Sequence, residues 1–129
     1  MTARNGEILV TAYSDMACQL VWSDDQGSPI PCATPARAEV KDSQGTLLVV
    51  FDDGNDPGTE AVITASETSG VIQLTAPKSV TALWTPGRYA IDVWATVTDA
   101  ADPFDVSGQY RPAFSGWFIV HPAITTGSP

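Results

Sequence analysis

The segment Leu83-Trp84-Thr85-Pro86-Gly87-Arg88-Tyr89, running on into Ala90-Ile91-Asp92-Val93-Trp94-Ala95-Thr96-Val97, constrains the fold more than any other part of the chain. A Pro-Gly turn delivers a tyrosine to the start of a long run in which apolar residues alternate. Alternation with a period of two places Tyr89, Ile91, Val93, Ala95 and Val97 on one side of a strand, and Arg88, Ala90, Asp92, Trp94 and Thr96 on the other. A tyrosine just past such a turn can return its hydroxyl to the backbone a few residues upstream. That is the sequence form of a tyrosine corner, which closes one end of a Greek-key β-sandwich. Pro86, Gly87 and Tyr89 are therefore read as the brace of the fold.

The rest of the chain has the matching rhythm of short apolar segments between turn clusters. Strands are expected at Glu7 to Tyr13, Met16 to Ser23, Arg37 to Lys41, Thr46 to Phe51, Ala61 to Ala65, Val71 to Thr75, Arg88 to Thr98 and Gln109 to Val120. Asp42-Ser43-Gln44-Gly45 is a hairpin turn, and Pro77 opens a single helical turn running to Leu83. Pro29 and Pro31 hold an extended connection. Pro112 makes the first half of the last strand an edge or a bulge. The expected fold class is all-β, an antiparallel immunoglobulin-like Greek-key β-sandwich of seven to nine strands. One domain takes residues 1–122, and 123–129 form a loose C-terminal tail. At 129 residues, with ten Pro and ten Gly, the chain suits one such domain and buries enough core to need no staples.

Charge narrows the partners. Fifteen Asp and Glu stand against six Lys and Arg, for a net charge of −9. Arg4, Arg37, Lys41, Lys78, Arg88 and Arg111 are scattered, so no basic stripe offers itself to nucleic acid, and anionic lipid is repelled. The polar start, Met1 to Glu7, is not expected to act as an export signal, and no run of apolar residues reaches membrane-spanning length. The chain is expected to fold in a cytosol. There Cys18 and Cys32 act as small apolar fillers rather than a disulfide.

Reactive chemistry is poorly provided for, and the chain is not expected to be an enzyme. His121 is the one histidine, and no Gly-x-Ser-x-Gly elbow is present. The acidic loop Asp52-Asp53-Gly54-Asn55-Asp56 is rich in oxygen ligands but lacks the spacing and terminal Glu of a calcium loop. Asp99, Asp102 and Asp105 make a second such loop. Two cysteines and one histidine do not complete a zinc site, and no glycine-rich loop leads into a helix to cradle phosphate. No cofactor or metal is expected.

The aromatic residues are more informative. Trp94 falls on the side of its strand away from Ile91 and Val93. In the last strand, Trp117 and Ile119 fall opposite Phe114, Phe118 and Val120. Large apolar groups on an outward face mark a partner surface, unless loops of the same chain cover them. Tyr13, Trp94, Trp117 and Ile119 are the candidate interface residues.

From about Ser14 to Pro122 the chain resembles a family of small β-sandwich domains in bacteriophage virions. The resemblance rests on Gln19-Leu20-Val21-Trp22, Arg37 to Asp42, Gly45-Thr46-Leu47-Leu48, Gly70 to Leu74, Ser79 to Leu83, Pro86 to Trp94, and Gly116-Trp117-Phe118-Ile119-Val120-His121-Pro122. Such domains include tail-collar proteins that hold side fibres, N-terminal domains of upper baseplate proteins, and minor tail proteins of phages of actinobacteria. The resemblance implies a virion structural protein that forms a homo-oligomer or ring, contacts other tail, baseplate, fibre or capsid subunits, and has no catalytic residues. A capsid decoration protein with the same sandwich and a host-surface carbohydrate-binding module are the alternatives.

Overall fold

A computed structural model of the chain describes residues 6–23, 27, 29–56, 58–66, 70–98 and 110–122. The tail 123–129 and the acidic loop holding Asp99, Asp102 and Asp105 lie outside the described residues. Eight strands and one helical turn are present among those described. They are β1 (Glu7–Thr11), β2 (Met16–Val21), β3 (Cys32–Lys41), β4 (Leu47–Asp52), β5 (Val62–Ala65), β6 (Val71–Ala76), α1 (Lys78–Thr81), β7 (Gly87–Val97) and β8 (Tyr110–His121). No described helix is long and apolar enough to cross a membrane.

The strands join in the order β1-β8-β7-β3-β4-β5-β6-β2, which curls into a nearly closed barrel. A five-stranded half, β1-β8-β7-β3-β4, meets a three-stranded half, β5-β6-β2, through a single bridge between Asp52 and Val62. The all-β expectation holds, but the wholly antiparallel one is corrected. β1 runs parallel to β8, from Glu7 opposite Trp117 to Thr11 opposite His121, and β4 meets β5 in parallel. The cause is local. The chain turns sharply at Ala12 to Ser14 and sends β2 to the other half, so β1 joins β8 in the direction it already has. The Ser14 hydroxyl donates to the Thr11 carbonyl across this turn, and Tyr13 has a left-handed φ of 66°.

Alternation fixes what points inward. Met16, Cys18 and Leu20 of β2, Ile72 and Leu74 of β6, and Ile91, Val93, Ala95 and Val97 of β7 are buried. At one end of this core Phe51, Trp84 and Phe118 contact one another edge to face, with centroids 5.4–6.3 Å apart. This arrangement suits the ring quadrupoles. In the β3–β4 turn, Asp42 Oδ1 accepts from the Gln44 and Thr46 amides at 2.8 and 2.9 Å, and Gly45 takes a φ of 83°. The helical turn α1 is tied to the β1–β2 turn. Lys78 donates its amide to Asp15 Oδ1 at 2.7 Å, and the buried Thr81 hydroxyl donates to the Ser14 carbonyl at 2.8 Å.

β1 and β3 differ from expectation for identifiable reasons. β1 stops at Thr11 because of the turn. β3 begins at Cys32 rather than Arg37, since its pairing with β7 jumps from Ala33–Thr96 to Arg37–Trp94. This irregularity houses Thr34, Pro35 and Ala36 opposite the single residue Ala95, so the missing N–H of Pro35 costs the ladder nothing. The irregularity expected at Pro112 is found as a register shift between Val93–Phe114 and Trp94–Pro112.

Candidate functional site

The outer face of the five-stranded half is a grid whose rows follow from strand register. One end row holds Leu9, Ile119 and Arg88 of β1, β8 and β7; the next holds Glu7, Trp117, Ala90, Lys41 and Leu47. The middle row holds Ser115, Asp92, Glu39 and Val50. Beyond it come Pro112, Trp94, Arg37 and Asp52, and finally Tyr110, Thr96 and Ala33. Trp94 is 38% exposed and Trp117 42%, with Leu9, Tyr110 and Leu47 comparably open. Their own chain's described residues do not bury them.

Three of the four candidate interface residues, Trp94, Trp117 and Ile119, come together on this face. Tyr13, also exposed, stands apart on the β1–β2 turn. Pro86, Gly87 and Tyr89 lie where the chain enters β7, and the Tyr89 hydroxyl donates to the Thr85 carbonyl at 2.5 Å.

Local contacts set the posture of the aromatics. The Arg88 guanidinium carbon lies 3.8 Å above the centre of the Trp117 ring, a cation–π contact. Trp94 stacks on Tyr110, with centroids 5.5 Å apart and planes 26° apart. Between these two aromatic ends the charges neutralise one another. Arg37 Nε and Nη1 donate to Glu39 Oε2 and Asp52 Oδ2, each at 3.0 Å, and Lys41 Nζ lies 3.4 Å from Glu39 Oε1. The hydrogen bond from Arg37, with help from Lys41, holds the Glu39 carboxyl below its ordinary pKa. These exposed pairs add little stability. Their effect is to leave the face without an unpaired cation in its middle. Ser115 Oγ donates to Asp92 Oδ1 at 2.7 Å.

The members of this face that sequence reasoning missed are Tyr110, Leu9, Leu47 and the Arg37 network. Each is unremarkable within its own strand. Only cross-strand register places Tyr110 beside Trp94 and Leu9 beside Ile119.

Other chemistry is committed elsewhere. In the acidic loop, Asp52 Oδ1 accepts from the Gly54 amide, Asp53 Oδ2 from the Ala36 amide and Asp56 Oδ1 from the Gly58 amide, at 2.8–2.9 Å. These carboxylates organise backbone. Among the described residues no group of three or more His, Cys, Asp or Glu side chains is placed to hold a metal ion. Cys18 and Cys32 are free and buried, and burial pushes both thiol pKa values up. His121 lies exposed at the end of β8. A cavity of about 220 Å³ opens at the seam between β2 and β8. Its walls are Gln19, Leu20, Val21, Trp22, Ile72, Ala113 and Phe114, with no titratable side chain.

No family model and no curated protein matches this chain. Its likeness to known proteins is one of fold. The structure of CopC from Methylosinus trichosporium OB3b superimposes with a TM-score of 0.51 at 17% identity, covering 95% of this chain and 91% of that one. A GspB Siglec domain gives a TM-score of 0.41 at 13% identity, covering 92% of this chain and 55% of that one. The likeness to CopC, at 17% identity, speaks to the β-rich architecture alone and leaves function to the residues themselves.

Proposed function

We propose that this chain is a structural assembly protein that binds neighbouring protein subunits through the outer face of β1-β8-β7-β3-β4. The observation that carries the reading is the placement of Trp94, Tyr110, Trp117, Ile119 and Leu9 on one exposed sheet face. Aromatic anchors amid paired charges are the composition of a protein–protein interface, where they contribute through burial at about 25 cal/mol per Å² of apolar area. The sandwich is read as immunoglobulin-like and Greek-key, supported by the order β1-β8-β7-β3 beside β6-β2. The Tyr89–Thr85 hydrogen bond supports a tyrosine corner.

The sequence resemblance supports an assembly in a bacteriophage virion, at the tail, collar or baseplate, where the domain anchors fibres or adjoining subunits. The test is the composition of purified particles. The chain is expected in them at the tail or its distal end, and Trp94→Ala is expected to lower its incorporation several-fold. Label spread over the shell would make it a decoration protein instead. Particles with intact tails and normal fibres, assembled without the chain, would overturn the tail reading.

A further inference from the structure

We infer that the partner for this face is a second copy of the same chain, held face to face as an isologous dimer. The inference rests on the reading of the outer face as a binding surface and adds the identity of its occupant.

Charge is the first argument. The chain carries a net charge of −9, so two copies repel over most of their surface. The outer face is the exception. It gathers Arg37, Lys41 and Arg88, half of the six Lys and Arg, against Glu7, Glu39, Asp52 and Asp92 from fifteen Asp and Glu. It is therefore close to neutral while the remainder is strongly acidic. Its cations are already engaged, Arg37 and Lys41 with carboxylates and Arg88 with the Trp117 ring. A basic partner would be drawn to the acidic remainder. A copy of this chain meets least repulsion here.

Area is the second argument. Five strands of 5 to 12 residues, spaced about 4.8 Å and rising about 3.3 Å per residue, present a face of about 700 Å². A standard stable interface buries about 800 Å² on each partner, and packing contacts bury about half that or less. The layout also suits a two-fold axis. An axis crossing the strands near Asp92 lays the Trp117 end of each copy over the Trp94 end of the other. Each Trp94 ring then lies over the small side chain of the other copy's Ala90, a row that also holds Trp117.

The test is sedimentation equilibrium of the full chain from about 10 μM to about 1 mM, at low and high salt. A dimer is expected, and salt is expected to tighten it, because screening relieves the net repulsion while the burial of aromatics is unaffected. Trp117→Glu and Trp94→Glu should each weaken association at least tenfold, and Gln73→Glu, on the outer face of the three-stranded half, should not. Circular dichroism and thermal melts establish that each variant is folded, and either folded tryptophan variant suffices. A monomer throughout the range, or a dimer indifferent to both folded tryptophan variants, overturns the inference. A chain that is monomeric yet retained in particles sinks the dimer and leaves the proposed function standing; a dimer from a chain absent from particles does the reverse.

Discussion

Tyr89 spans the Pro86-Gly87 turn to reach Thr85, and its ring packs against the buried core. The ring would stay in place in Tyr89→Phe, so only the hydroxyl's bond is lost. The expected cost is about 1 kcal/mol in urea denaturation, with the slope unchanged. Cys18 and Cys32 make a second residue-scale case. Burial favours the neutral thiol, so the folded pKa lies above the unfolded one. By linkage this contribution to stability is complete below the unfolded value, about 9, and is lost as pH rises through the folded one. Both thiols are expected to resist alkylation at about pH 8 in the native chain and to react fully in denaturant, as followed by mass spectrometry.

Among the elements, β1 depends on a single close approach. The Trp117 amide donates to the Gly6 carbonyl at 2.7 Å, and a Cβ built on Gly116 would collide with that same oxygen. Backbone meets backbone there, so neither side yields cheaply. Gly116→Ala is expected to push the start of β1 off β8 and to cost about 1–3 kcal/mol. Hydrogen exchange should then speed at β1 amides while β6 amides keep their protection. Element positions were largely legible, because alternation and turn residues act locally: β2, β4, β5, β6, β7 and β8 fall within a residue or two of where their patterns put them. β3 was cut short because Pro29 and Pro31 read as an extended connection leading to Arg37, whereas the strand starts at Cys32 and an irregularity opposite Ala95 absorbs Pro35.

For the molecule as a whole, the Phe51–Trp84–Phe118 cluster ties β4, β8 and the chain's entry into β7 together. Phe51 is fully buried, and removing its ring from a close-packed core leaves a cavity. Phe51→Ala is expected to cost about 3–5 kcal/mol in denaturant titration. In the proposed reading, core and outer face divide the labour between stability and association. The division follows from β7 and β8 carrying apolar residues on both sides, a pattern that one-sided burial does not require.

The local rules of the chain, period-two alternation, turn chemistry and the Pro86-Gly87-Tyr89 signature, were enough to determine an all-β fold, its inward residues and the outward aim of Trp94, Trp117 and Ile119. Tertiary structure alone decided that β1 runs parallel to β8, that Tyr110 stacks on Trp94, that Arg88 caps Trp117, and that Tyr13 stands apart from the rest. The reason is physical. A side chain's aim depends on its own backbone, but its neighbours depend on which strands pair and in what register, and that is fixed collectively by packing between segments far apart in sequence.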